Sequence, residues 1–188
     1  MRPWRPQAGN PAGNGGVMRK RVLWSLGGLV AVGAIALGVW TTTCPCDRTP
    51  GFMLLGQAAP APVADWRFAN DVPLCQLQVS AYGLPHAINL NCMSAADGRL
   101  FLSCSVCDTK FWAKHVAPGS AARLRLNGTV YPVTLTRVTD DETLDVAWRA
   151  RVLKLQTWGT EGGVNAKPKP DAPRPPRWWS FEVRSRAS

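Results

Sequence analysis

Hydrophobic positions along this chain follow three rhythms, and each predicts a different element. The first is an unbroken run: Val22 to Trp40 holds 19 residues, none charged, with Ser25 its only hydroxyl. At a helical rise of about 1.5 Å per residue, such a run crosses a hydrocarbon core of about 30 Å. The second rhythm is alternation. Cys75, Leu77, Val79 and Ala81 are separated by polar residues, and Ile88, Leu90 and Cys92 repeat the pattern between His86 and Met93. A period of two predicts half-buried strands. Leu100 to Cys104, Ala122 to Leu126, Thr129 to Val138 and Trp178 to Val183 predict further strands, and Asn127-Gly128 readily supplies the positive φ values of a type I′ hairpin turn. The third rhythm is helical. Leu144, Ala147, Trp148, Val152 and Leu155 lie on one face after Thr139-Asp-Asp-Glu142, whose spacing predicts a capping box opened by Thr139. Asp108 predicts the cap of a shorter helix reaching about Val116, which Pro118-Gly119 stops.

Together these elements predict a mainly β (α+β) fold: a small antiparallel β-barrel with two short helices, preceded by one transmembrane helix. The expected organisation is a disordered basic segment over 1–21 and an apolar anchor over 22–41. A Pro/Ala-rich linker over 42–64 and a folded domain over 65–188, with a loop at 161–176, complete it.

Charge changes the picture only once it is located. The formal net charge of +10 resembles a nucleic-acid signal. However, Arg2, Arg5, Arg19, Lys20 and Arg21 precede the apolar run, and Lys167, Lys169, Arg174, Arg177, Arg184 and Arg186 lie near the C-terminus. The stretch between is only mildly basic, so no continuous cationic face is expected and nucleic acid is not an expected partner. Basic residues before an apolar run instead predict a cytoplasmic N-terminus and an extracytoplasmic domain at a bacterial-type inner membrane. An uncleaved anchor, a cleaved signal peptide and lipidation of Cys44 are the three readings of this segment, and the anchor fits its length best. Trp24 and Trp40, near the two ends of the run, suit the two membrane interfaces.

Candidate chemistry centres on Cys104-Ser-Val-Cys107. The pair could form a structural disulfide, within itself or to Cys75 or Cys92, a redox dithiol activated by Lys110 and a following helix, or half of a zinc site, or remain inert thiols. No second close pair of ligands with zinc-like spacing accompanies it. His86 and His115 could titrate near neutral pH but join no nucleophile or paired carboxylates. Trp112, Trp148, Trp178 and Trp179 could stack on a planar ring or fill the core. Helix capping accounts for Asp140, Asp141 and Glu142 without a metal.

Gly83-Leu-Pro-His86, Asp97-Gly-Arg-Leu-Phe101, Thr109-Lys110, Phe111-Trp-Ala-Lys-His115 and the hairpin through Tyr131 occur in an order that resembles the FMN-binding split β-barrel superfamily. That superfamily includes pyridoxamine 5′-phosphate oxidase-like and deazaflavin-dependent nitroreductase-like proteins. The resemblance covers about Trp66 to Val138. It implies an oxidoreductase, with FMN as cofactor and a deazaflavin as alternative. Lys110 and Thr109 would hold the phosphate, while His86, Asn89, Asn91 and Trp112 would approach the ring, often at a homodimer interface. Cys104 and Cys107 stand where members tend to carry Ser, Thr or Gly, and the second strand lacks their arginine. Two further readings therefore stand beside the first: a non-catalytic envelope binding or assembly protein that has lost the cofactor, and a thiol-redox or haem-handling accessory using Cys104 and Cys107.

Overall fold

A computed structural model of the chain describes Met1 and residues 15–163 and 165–187. It divides into two compact units, residues 1–39 and 40–188. Helix α1, Gly15–Thr43, carries the apolar run. Its span Met18–Thr43 is long and apolar enough to cross a membrane, properties that an N-terminal signal sequence shares. The disorder expected over 1–21 lies outside the described residues as far as residue 14, and from Gly15 the chain is helical.

The second unit is built on a curled, antiparallel half-barrel sheet. Its strands are β1 (Gln57–Ala58), β2 (Cys75–Ala81), β3 (Leu84–Leu90), β4 (Cys92–Ser94), β5 (Leu100–Cys104), β6 (Ser120–Leu126), β7 (Thr129–Arg137) and β8 (Trp179–Ser185). Helices α2 (Phe111–Lys114) and α3 (Asp141–Trp158) complete it, with 3-10 turns at Arg67–Asp71 and Cys107–Thr109. Strand order is β3-β2-β6-β7-β8-β5-β4, and β1 joins β7 in parallel. The alternation places Cys75, Leu77, Val79, Leu124, Val133, Leu135, Phe181 and Val183 in one interior cluster. Strand β5 is apolar on both faces for a physical reason. Leu100 and Leu102 enter that interior, whereas Phe101 joins Met93, Leu144, Ala147 and Ala150 under α3. Full burial of side chains of this size contributes roughly 1.5–3 kcal/mol each.

Both tight hairpins use two residues with positive φ. Asn127 (46°) and Gly128 (80°) join β6 to β7 with Leu126 opposite Thr129, while Tyr82 (52°) and Gly83 (79°) join β2 to β3 with Ala81 opposite Leu84.

Four local expectations change. The strand predicted over His86–Met93 is two strands, β3 and β4, which lie at opposite ends of the sheet order. Asn91 is the corner between them, and its Nδ2 donates to Asn165 Oδ1 at 2.6 Å. Secondly, residues 51–59 of the expected linker pair with and pack on the sheet. Gly51 exchanges both backbone hydrogen bonds with Ala87, the Leu54 N–H donates to Gln78 Oε1 at 2.8 Å, Leu54 is fully buried, and β1 pairs with the end of β7 that β8 leaves open. A Cβ on Gly56 would stand 2.3 Å from the Gly128 carbonyl oxygen, so glycine permits that close approach. Thirdly, the α3 cap is Asp140, whose Oδ1 accepts from the Thr143 N–H at 2.8 Å, one residue later than the Thr139 box. Lastly, α3 is a full 18-residue helix rather than a short one.

Candidate functional site

The turn after β5 brings the largest share of the predicted site residues into one place. Cys104 ends β5, Val106 adopts the left-handed region at φ 51°, and Cys107 turns inward to full burial. A disulfide joins Cys104 to Cys107. A second joins Cys44 to Cys46 beside the cis Cys44–Pro45 bond. The Thr109 hydroxyl donates to the Val106 carbonyl at 2.9 Å, so it is engaged within the turn. Lys110 is exposed and caps α2, a helix of four residues that is too short to gather much dipole at its end. Asp108, the predicted helix cap, pairs instead with Arg177.

Strand pleating separates the residues expected along the second strand. His86 pairs opposite Val79 and Ile88 opposite Leu77, so both share the interior side of β3. Asn89 falls on the other side with Ala87, because successive side chains alternate. There its Nδ2 donates to the carbonyls of Asp47 at 3.2 Å and Pro45 at 3.4 Å. Asn91 is 9% exposed and is bonded to Asn165. Trp112 is 6% exposed and packs against Phe181 with ring centroids 5.1 Å apart. Of the predicted set, the structure thus gathers Thr109, Lys110 and His86 around Phe111, whose ring lies 4.8 Å from that of His86. Asn89, Asn91 and Trp112 are engaged elsewhere.

Two features escaped the sequence reading. One is an exposed ring cluster: Phe111 also meets His115 at 4.5 Å, and His115 meets Tyr82 at 4.8 Å. Partial burial, and secondarily the neighbouring His115, hold the His86 imidazole below its ordinary range. The only signal for the cluster was a pair of aromatic residues in polar, turn-like surroundings.

The other is a buried polar cluster. Lys154 is 5% exposed, and its Nζ donates to the carbonyls of Ala69, at 2.8 Å, and Cys92, with Cys92 Sγ at 3.8 Å. Cys75 and Cys92 are free, fully buried thiols, and Cys75 Sγ donates to the Leu90 carbonyl at 3.6 Å. Burial pushes the Cys75 thiol well up. Burial also acts to raise Cys92, but the Cys75 hydrogen bond and the Lys154 charge outweigh it and bring that thiol below its usual value. Nearby on α3, the Arg151 guanidinium lies 4.5 Å over the Trp178 ring, and burial lowers its pKa to about 10.

Two small concavities accompany these features. One of about 220 Å³ is lined by residues including Ser80, Arg123 and Arg186, and one of about 290 Å³ by residues including Trp148, Arg149 and Arg174. Neither is lined by Lys110, Thr109 or His86. Among the described residues, no group of three or more His, Cys, Asp or Glu side chains is placed to hold a metal ion.

No family model and no curated protein matches the chain. Solved structures with a similar arrangement include a general stress protein 26 from Jannaschia sp. CCS1 and an FAD-binding protein from Mycobacterium smegmatis. The first is 20% identical with a TM-score of 0.38, covering 64% of this chain and 70% of that one. The second is 11% identical with a TM-score of 0.37, covering 66% of this chain and 98% of that one. At these scores the likeness assigns neither chemistry nor ligand to this protein.

Proposed function

We propose that this protein is a single-pass, membrane-anchored module whose folded unit is displayed outside the cytoplasm and works by binding rather than by turnover. The observation that carries this reading is the engagement of the would-be ring contacts with the chain itself. Asn89 is bonded to Pro45 and Asp47, Asn91 to Asn165, and Trp112 is in the core. Disulfides at Cys44–Cys46 and Cys104–Cys107 suit an oxidising compartment, which agrees with basic residues preceding the apolar run of α1. Purification of the full chain from its membrane tests the proposal. The expected product is colourless and contains four cysteines that resist alkylation until reductant is added. A stoichiometric flavin, or cysteines that cycle between thiol and disulfide in cells, would overturn it.

One specific arrangement favours a second reading. Tyr82, Phe111 and His86 present an aromatic surface next to Lys110 and Thr109, against which the ring of an FMN or deazaflavin could stack with its phosphate at Lys110. Titration of the purified protein with FMN separates the two readings: saturable quenching of flavin fluorescence that Lys110→Glu abolishes would favour the cofactor.

A further inference from the structure

The tip formed by the β2–β3 turn and α2 exposes several large apolar side chains. Tyr82 is 86% exposed, Leu84 61% and Phe111 47%. Tyr82 and Phe111 have ring centroids 6.3 Å apart with His115 bridging them, and Leu84 follows Tyr82 by two residues at the start of β3. Contiguous exposed apolar side chains of this kind mark interaction sites, whereas scattered ones do not. Backbone geometry points the same way. Tyr82 occupies the left-handed region at φ 52°, an uncommon conformation for a residue with a side chain, and its ring stays largely in solvent beyond its contacts with His115 and Phe111.

Charge and connectivity identify what the patch meets. Lys110 and Lys114 flank Phe111 and are exposed, and no ion pair engages either among the described residues. The nearest acid in sequence, Asp108, is neutralised by Arg177. Rings and an aliphatic side chain ringed by free ammonium groups match the headgroup zone of an anionic bilayer, where aromatic bodies sit at the interface and cations meet phosphate. Within the folded unit, Leu84 opens β3, the strand whose other end holds residues 45–51. Pro45 and Asp47, just beyond the end of α1 at Thr43, accept hydrogen bonds from Asn89, and Gly51 pairs with Ala87. Leu84 is five residues from Asn89 along β3, which at about 3.4 Å per residue is roughly 17 Å. We infer that Tyr82, Leu84 and Phe111 dock into the surface of an anionic bilayer, with Lys110 and Lys114 on its phosphates. This rests on the anchored reading proposed above.

Photo-crosslinking of the full chain tests the inference. Leu84 is replaced by benzoylphenylalanine, and the protein is reconstituted into nanodiscs of phosphatidylcholine alone or of equal parts phosphatidylcholine and phosphatidylglycerol. Lipid adducts identified by mass are expected, more abundant with phosphatidylglycerol and reduced on raising salt from about 0.1 to 1 M. Lys110→Glu with Lys114→Glu should lower the adduct yield at least fivefold, since each lysine near such a surface biases binding by roughly fivefold. Unchanged circular dichroism of that variant excludes misfolding as the cause. A chain that fails to enter nanodiscs removes the anchored reading together with this inference. A chain that enters them but gives no lipid adduct, or adducts only to a second copy, overturns the docking alone. So does loss of lipid adducts when FMN is added, because the patch would then be a cofactor surface.

Discussion

The Lys154 cluster and the β2–β3 tip both invert the usual distribution of polar and apolar side chains, and they do so with opposite completeness. Under α3, the Lys154 ammonium is buried yet fully engaged: two backbone carbonyls accept its hydrogen bonds and a thiol lies alongside. At the β2–β3 tip, Tyr82, Leu84 and Phe111 are exposed, and the two rings meet each other and two histidines. A buried charge survives folding only when its partners replace water, so the first inversion is resolved inside the chain. An exposed apolar patch has no such internal resolution, so the second points outward. The difference separates scaffold from interaction surface without reference to conservation.

Lys154→Met should give the largest effect on this comparison. Methionine retains the apolar stem but leaves the Ala69 and Cys92 carbonyls without their charged donor, and hydrogen bonds to charged groups contribute about 1.5–3 kcal/mol each. A loss of about 3 kcal/mol in denaturant unfolding is expected, with little change in lipid crosslinking at the tip. A loss below about 1 kcal/mol would mean that the cluster is not resolved internally as described.

Removing the Cys104–Cys107 disulfide should have the next largest effect. In the loop-entropy account, a loop this short gives a bond worth about 2 kcal/mol. The Cys104→Ser, Cys107→Ser double variant should lose about that much, unevenly distributed. Cys107 is anchored in the core, and α2 begins four residues later. Amide exchange should therefore accelerate over 107–115 while residues 75–79 keep their protection. Uniform acceleration would show that core and tip open as one unit, and the distinction drawn between them would fail.

Legibility from sequence follows the same division. The interior of the half-barrel was readable because strand burial imposes a period of two, and Cys75, Leu77 and Val79 obey it. Asn127-Gly128 was readable because few residue pairs accept positive φ twice. Residues 51–63 were not, since their Pro, Ala and Gly content describes a linker equally well when backbone hydrogen bonds from Gly51, Leu54 and Ala59 go to Ala87, Gln78 and β7. Asn91 was hidden because a strand that crosses from one sheet edge to the other keeps its alternation almost unbroken. Lys154 could not be paired with Cys92, a residue 62 positions away, without knowing which strand α3 covers. Of the candidate site, strand order told which residues lie near the turn at Cys104, but pleating decided that His86 and Asn89 face opposite ways.

The smallest expected change sharpens the comparison furthest. Tyr82→Gly removes a side chain from a left-handed position, where non-glycine residues carry a penalty of about 1–2 kcal/mol. Glycine also gains freedom in the unfolded chain, an opposing effect of about 0.4–1 kcal/mol. The net change in stability should be a small gain, about 0.5 kcal/mol, because Tyr82 is 86% exposed and gives up little packing when removed. Lipid crosslinking from Leu84 should nevertheless fall, since the tyrosine ring supplies much of the apolar area at the tip. A scaffold residue cannot behave this way: its removal lowers stability and binding together. If Tyr82→Gly destabilised the protein by more than about 1 kcal/mol, well outside the range of surface substitutions, the ring would be serving the fold, and the tip would belong with Lys154 on the internal side of the comparison.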